Sequence, residues 1–169
     1  VSLPETAREF LARHVERVRQ LRPAKRLVFP EGGDPRILAA AERLAREGLA
    51  VPILVGPRPA QAYPGVTFVD PASAPQAGQY AALYHRRRAA RGVTEKEATQ
   101  IARRPLYFAA LMVAAGDADG FVGGAATWTA ETVRAAIHSI GTASGVRTVS
   151  GFFIMALPHR QAGHQGLFI

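Results

Sequence analysis

The 169-residue sequence has no cysteine and only two lysines and one tryptophan. Without cysteine, a disulfide framework and a thiolate metal site are both excluded. No apolar run approaches the roughly 18 residues that a membrane-spanning helix needs. The first 22 residues are charged and amphipathic, which is unlike a secretory signal peptide. We therefore expect a single cytoplasmic domain without a membrane partner.

Acidic residues are also scarce, with 13 against 21 basic ones, so the formal net charge is +8. This surplus has two interpretations, nucleic-acid binding or a genome that favours Arg, Ala, Gly and Pro. The arginines are distributed along the chain, and no basic run is interleaved with aromatic residues. We therefore expect no nucleic-acid partner. The densest cluster, Arg86–Arg88 with Arg91, predicts either a solvated helix face or a place for one phosphate-binding arginine.

Strand and helix patterns alternate along the chain, which predicts an α/β fold with an open, mostly parallel sheet covered on both faces. Asp34 and Pro35 are typical of a helix start, Thr94 with Glu97 forms a capping box, and Pro105 is expected to break a helix. The predicted strands are 26–30, 51–56, 66–69, 119–123 and one within 147–157, and the main helices are 4–22, 35–47, 80–91, 106–115 and 129–140.

The end of the sequence predicts two further strands. Phe152–Met155 is expected to be a core strand, and Gly166–Ile169 resembles the start of another. A chain that stops inside an element suggests a fragment, a truncated reading frame or a domain that needs a partner.

The glycine-rich stretch Gly116–Gly124 precedes a helix that carries hydroxyls in its first turn and then Arg134. A strand, a glycine turn and a helix in this order direct free backbone N–H groups and the positive helix end at one point. The stretch lacks both the G-x-G-x-x-G spacing and the Gly-Lys-Ser/Thr of a Walker loop. We expect a phosphate-bearing ligand at Gly123 and Gly124.

Several motifs in order resemble the phosphate acetyltransferase (phosphotransacetylase) family. They cover the chain from about Lys25 onward: residues 25–32 with 34–36, residues 47–50 with 52–56, residues 116–120, residues 142–146, and residues 149–155. Phosphate butyryltransferases and the C-terminal domain of some malic enzymes share parts of the pattern. The match is expected to represent the amino-terminal half of the family's chain over residues 1–169, with residues 1–24 as a leading helix.

The resemblance implies a three-layer α/β/α fold of the isocitrate/isopropylmalate dehydrogenase type, here truncated. It implies reversible acetyl transfer between CoA and inorganic phosphate, in a cleft between two domains of a protein that is usually a dimer. CoA, acetyl-CoA, acetyl phosphate and phosphate are then substrates, and neither a cofactor nor a metal takes part. The thiolate of CoA attacks the carbonyl of acetyl phosphate, an aspartate takes the thiol proton, and arginines hold the phosphate.

By local motif, the family's arginines map to Arg88 and Arg134, and its loop hydroxyl maps to Thr129, which is also expected to cap the helix. Three positions depart from the family pattern: Thr127-Trp128 replaces His-Ser, Glu131 replaces Asp, and Ala135 replaces Pro. The family's catalytic aspartate lies in its carboxyl-terminal half, which this sequence lacks. No catalytic residue is therefore assigned, and a non-catalytic module that senses acetyl-CoA or anions is the alternative.

Other chemistry has weaker sequence support. None of the histidines pairs with a carboxylate at metal-ligand spacing, so structural or surface roles are expected for His14, His85, His138, His159 and His164. One of Asp117 and Asp119 is expected to cap the strand entry, and the other is expected to be a turn residue.

Overall fold

The computed structural model describes residues 3–158 and 167–168. Residues 23–141 form one compact unit, and the segments before and after it form another. The first unit contains strands β1 (Arg26–Phe29), β2 (Val51–Val55), β3 (Thr67–Val69) and β4 (Gly120–Phe121). Its helices are α2 (Pro35–Arg46), α3 (Ala77–Arg88), α4 (Glu95–Ala102), α5 (Pro105–Ala115) and α6 (Thr129–Ser139), and a 3₁₀ turn, Ala89–Arg91, follows α3. The other unit contains α1 (Glu5–Arg19), β5 (Met155–Ala156) and β6 (Leu167–Phe168).

The four strands of the larger unit form a sheet in the order β3-β2-β1-β4, and every neighbouring pair is parallel. Side chains alternate between the two faces, as the pleat of a strand requires. Val28 packs against the cluster that includes Phe108 of α5, whereas Phe29 packs with Ala41 of α2 on the opposite face. Helices therefore cover both faces, and the predicted α/β/α architecture with a parallel sheet is confirmed.

Local sequence signals set several helix ends. The Asp34 carboxylate accepts a hydrogen bond from the backbone N–H of Arg36 at 2.8 Å, and Pro35 is the first residue of α2. Thr94 and Glu97 form the predicted capping box of α4. Pro105 is the first residue of α5, which has five buried residues and is capped by Gly116 with a positive φ of 85°.

The smaller unit differs from its sequence prediction. Phe152–Met155 was predicted to be a core strand, but only Met155 and Ala156 are in strand conformation. Phe152 and Phe153 are 73% and 86% exposed. The predicted core strand was wrong because, among the described residues, this segment pairs only with Leu167–Phe168, in a two-residue antiparallel ladder. That ladder does confirm extended structure at the predicted start of a last strand.

No helix in the described part of the chain combines the length and the apolar character that crossing a bilayer demands.

Candidate anion-binding site

Two loops meet at the carboxyl-terminal edge of the sheet, where ligands of open parallel sheets are usually bound. The first loop is the β1–α2 turn, residues 30–34, and the second is the β4–α6 loop, residues 122–128. Strands β1 and β4 are hydrogen-bonded neighbours, with Leu27 opposite Gly120 and Val28 opposite Phe121. The parallel pairing therefore brings together two loops that lie about 93 residues apart in the sequence.

The side chain of Glu31 binds the backbone of the β4–α6 loop, which is the glycine-rich loop of this site. Its carboxylate accepts hydrogen bonds from three successive backbone N–H groups, those of Gly124 at 3.1 Å, Ala125 at 2.9 Å and Ala126 at 2.7 Å. Burial alone would raise the pKa of Glu31, but these bonds, with a contribution from the Thr127 hydroxyl, hold that pKa below its ordinary value. The expectation of free amides in this loop was wrong, because a carboxylate from the neighbouring turn already binds them.

A second contact joins the same loops through Arg36. Its guanidinium donates to the backbone carbonyl of Ala125 at 2.7 Å and forms two hydrogen bonds with Asp34, at 2.7 and 3.0 Å. The Arg36 guanidinium and backbone N–H lower the pKa of Asp34 to about 2. Glu31 thus binds the N–H groups of the β4–α6 loop while Arg36 binds one of its carbonyls.

A cavity of about 350 Å³ opens beside these loops. The β1 end, the start of α5, the glycine-rich loop and the first turns of α6 form its wall. The lining residues are Pro30, Glu31, Arg104, Pro105, Leu106, Tyr107, Thr127, Glu131 and Arg134.

The cavity carries two arginines that form no ion pair with a carboxylate of the described residues. The ion pairs found in the described part of the chain are Arg26–Asp119, Arg36–Asp34 and Arg43–Glu47, and neither Arg104 nor Arg134 belongs to them. Both side chains belong to exposed residues. Arginine stays charged and presents a fork of donors that matches phosphate oxygens. The two guanidinium groups therefore provide donors for an oxyanion in a lining that also holds the carboxylates of Glu31 and Glu131.

Arg88 is the last residue of α3. It does not line the cavity; it neighbours Tyr84 and His138, and its Nε is buried without a hydrogen-bond partner. The ring of His138 lies 6.5 Å from that of the cavity residue Tyr107. Burial, followed by the positive charges of Arg88, Arg134 and Arg91, lowers the pKa of His138.

The residues predicted from sequence are therefore only partly together. Arg134 lines the cavity, whereas Arg88, Thr129, Gly123 and Gly124 do not. Thr129 was predicted to cap α6, but it is the first residue of the helix, and the N-cap position belongs to Trp128, which makes no side-chain cap bond. The Trp128 side chain does not enter the cavity, and the residue is 81% exposed.

Sequence reasoning missed Arg104 and Glu31. A signal existed for Arg104, since it immediately precedes the proline that begins α5. In an open parallel sheet, ligands bind at the carboxyl ends of the strands, where the following helices begin. Glu31 gave only the signal that it begins the Glu-Gly-Gly turn after β1. Its partners are too distant in sequence for local patterns to reveal.

The two aspartates of the Gly116–Gly124 stretch have structural partners. Asp119 accepts a hydrogen bond from the backbone N–H of Arg26 at 2.7 Å and pairs with its guanidinium at 3.2 Å. Asp117 accepts a hydrogen bond of 2.6 Å from the hydroxyl of the buried Tyr80. Of the predicted histidines, His159 and His164 lie outside the described residues.

Known proteins are similar to the chain along most of its length. A family model described as Phosphate acetyl/butaryl transferase matches residues 9–167. A phosphate acetyltransferase of Paracoccus denitrificans is 46% identical over 132 residues, which cover 78% of this chain and 40% of that protein. A phosphate acetyltransferase of Acetivibrio thermocellus is 33% identical over 167 residues, which cover 95% of this chain and 50% of that protein.

Solved structures show the same similarity. A phosphotransacetylase from Streptococcus pyogenes superposes with a TM-score of 0.79 at 31% identity, over 89% of this chain and 47% of that one. The EutD phosphotransacetylase from Staphylococcus aureus gives a TM-score of 0.77 at 29% identity. The chain thus spans between 40% and 50% of the length of these four relatives.

Proposed function

Because the chain belongs to the phosphate acetyl/butaryl transferase family, we propose that it forms the phosphate-binding wall of a site that transfers an acetyl group between CoA and inorganic phosphate. The observation that carries this proposal is the cavity with two arginines that no carboxylate of the described residues neutralises. Two relatives, each named phosphate acetyltransferase, favour acetyl as the acyl group.

In the proposed reaction, the thiolate of CoA attacks the carbonyl carbon of acetyl phosphate. A carbon–sulfur bond forms, the carbon–oxygen bond to phosphate breaks, and phosphate leaves with the electron pair. Arg104 and Arg134 are proposed to bind the phosphate oxygens. Their positive charges stabilise the negative charge of the phosphate group both in acetyl phosphate and after the phosphate has left. Arg88 is proposed to support this site indirectly. It neighbours His138, whose ring lies 6.5 Å from that of the cavity residue Tyr107. The residue that takes the thiol proton is not assigned to this chain.

We propose CoA, acetyl-CoA, acetyl phosphate and phosphate as ligands, with no resident cofactor or metal. The chain is further proposed to correspond to the amino-terminal half of the family's polypeptide. It is also proposed to form a homo-oligomer in the cytoplasm. The lack of cysteine is compatible with such a reducing compartment.

The proposal is tested by phosphate binding and by acetyl-CoA formation with the 169-residue chain. Arg134→Ala and Arg104→Ala are each expected to weaken phosphate binding, measured by calorimetry, by about tenfold or more, because each removes charge-assisted hydrogen bonds. Arg103→Ala is the matched control, since Arg103 is an exposed neighbour that does not line the cavity. Unchanged affinity in both cavity variants would contradict the proposed site.

Acetyl-CoA formation from acetyl phosphate and CoA separates the enzyme from its alternative. Turnover that Arg134→Ala abolishes supports a complete site in the assembly of this chain. Phosphate binding without turnover favours a module that binds anions or acetyl-CoA without catalysing transfer.

A further inference from the structure

The three backbone amides of residues 124–126 converge on the carboxylate of Glu31, which also lines the cavity. Successive N–H groups point to a common spot only where the backbone curves around it, and an anion is the partner that satisfies such a curve. Here the anion is part of the protein, with N···O distances of 2.7–3.1 Å to Glu31.

Glu31 is itself fixed by the strand behind it. The next residue, Gly32, donates its backbone N–H to the carbonyl of Val55 at 3.3 Å. A Cβ at Gly32 would lie 2.6 Å from that same oxygen, so the turn lies directly against the end of β2. The backbone of the turn is therefore anchored to β2 while the side chain of Glu31 binds the loop of β4.

The same carboxylate lines the cavity that holds Arg104 and Arg134. A phosphate on the loop amides would have to share them with the negative charge of Glu31, and like charges at that separation repel strongly. Arg104 and Arg134 of the same lining, by contrast, offer a phosphate two positive charges that form no ion pair with a carboxylate of the described residues.

We propose that Glu31 is a positioning residue: its carboxylate is the permanent anion of the amides of residues 124–126, so that phosphate binds at Arg104 and Arg134 and not at the glycine-rich loop. The first half of this inference stands whether or not the chain transfers acetyl groups. The second half rests on the proposed phosphate-binding function.

Chemical rescue tests the first half. Glu31→Ala removes the carboxylate and leaves space, so its melting temperature is expected to fall and then to recover by at least about half of the loss in acetate, relative to chloride of equal ionic strength. Glu31→Gln removes the charge but fills the space, and it is expected to be destabilised without rescue. Glu131→Ala is the matched control, because Glu131 lines the same cavity but accepts none of these amide hydrogen bonds.

Rescue that is equal in Glu31→Ala, Glu131→Ala and the unmodified chain would overturn the inference, as would the absence of rescue in a folded Glu31→Ala. If Glu31→Ala does not fold, acid titration of the unmodified chain decides. The amide protons of residues 124–126 are then expected to shift together as Glu31 is protonated, and independent or absent shifts would overturn the inference.

Phosphate titration of the unmodified chain tests the second half by nuclear magnetic resonance. The guanidinium Nε–H signals of Arg104 and Arg134 are expected to shift, with little change at the amides of residues 124–126. Larger shifts at those amides would show that phosphate displaces Glu31 and would overturn the inference. If no signal responds to phosphate, the proposed function and the second half fail together, while the acetate result still decides the first half.

Discussion

A carboxylate joins strands β1 and β4 at each of their two ends, but the two carboxylates bind different partners. At the amino-terminal end, the Asp119 carboxylate binds the backbone N–H and the guanidinium of Arg26, so an acid and an arginine neutralise each other. At the carboxyl-terminal end, the Glu31 carboxylate binds backbone amides instead. Arg104 and Arg134 nearby thus have no carboxylate partner among the described residues. The difference shows why one end holds the sheet together while the other is suited to bind an anion.

The largest expected contrast between the two ends concerns a pair of glycines. Gly32→Ala is expected to lower the free energy of unfolding by about 3 kcal/mol, because the added Cβ would lie 2.6 Å from the backbone oxygen of Val55. At the amino-terminal end, the Cβ of Gly116→Ala would have no atom within 4 Å. This substitution is expected to lower the free energy of unfolding by only about 1 kcal/mol, because alanine disfavours the positive φ of 85°. Urea unfolding at neutral pH measures both losses. Equal losses would show that the carboxyl-terminal turn is not packed as tightly as the structure indicates.

Acid is expected to weaken both ends to a smaller extent. Hydrogen bonds from Arg26 hold the pKa of Asp119 at about 2, and those from Arg36 hold the pKa of Asp34 at about 2. Both values lie below that of an unfolded aspartate, so the unfolded chain binds more protons in this range. The stabilisation is present above about pH 4 and is lost as the pH falls through about 2.

Asp119→Asn and Asp34→Asn separate the contributions of the two ends. Each variant is expected to lose less stability than the unmodified chain between pH 5 and pH 3, measured by urea unfolding. Asparagine still caps a helix, so Asp34→Asn keeps the start of α2 while it removes the charge. An unchanged pH dependence in either variant would mean that the pair at that end does not contribute.

The smallest expected effect is a change in the titration of His138. The charges of Arg88, Arg134 and Arg91 help to lower its pKa, after burial. Arg134→Ala is therefore expected to raise the pKa of His138, as followed through its imidazole proton signals, and bound phosphate is expected to act in the same direction. Arg103→Ala should leave the titration unchanged, since Arg103 is not among the charges that act on His138. No response to Arg134→Ala would indicate that this charge is neutralised at the carboxyl-terminal end.

Sequence patterns predicted the fold well because its determinants are local. The Asp34-Pro35 start, the Thr94–Glu97 capping box and the apolar strands of the larger unit each act within a few residues, and each is found where it was expected. The order of strands and helices then leaves few arrangements other than a parallel sheet between two helical layers.

The site was less predictable because its determinants are distant in sequence. Arg134 was identified by its motif, and it does line the cavity. No local pattern, however, shows that Glu31 reaches residues 124–126, or that the N-cap position of α6 belongs to Trp128 and not to Thr129. The hydrophobicity of Phe152–Met155 predicted burial, yet burial also requires neighbouring elements, and the described ones leave these side chains exposed.

Trp128 gives the candidate site a built-in optical signal. It is the one tryptophan of the chain, it is 81% exposed, and it directly follows Thr127 of the cavity wall. Its fluorescence therefore originates at the junction between the glycine-rich loop and α6 and nowhere else in the chain. A ligand or a second subunit that covers the indole would shift the emission to shorter wavelength, so occupancy at this edge of the sheet can be followed without a label.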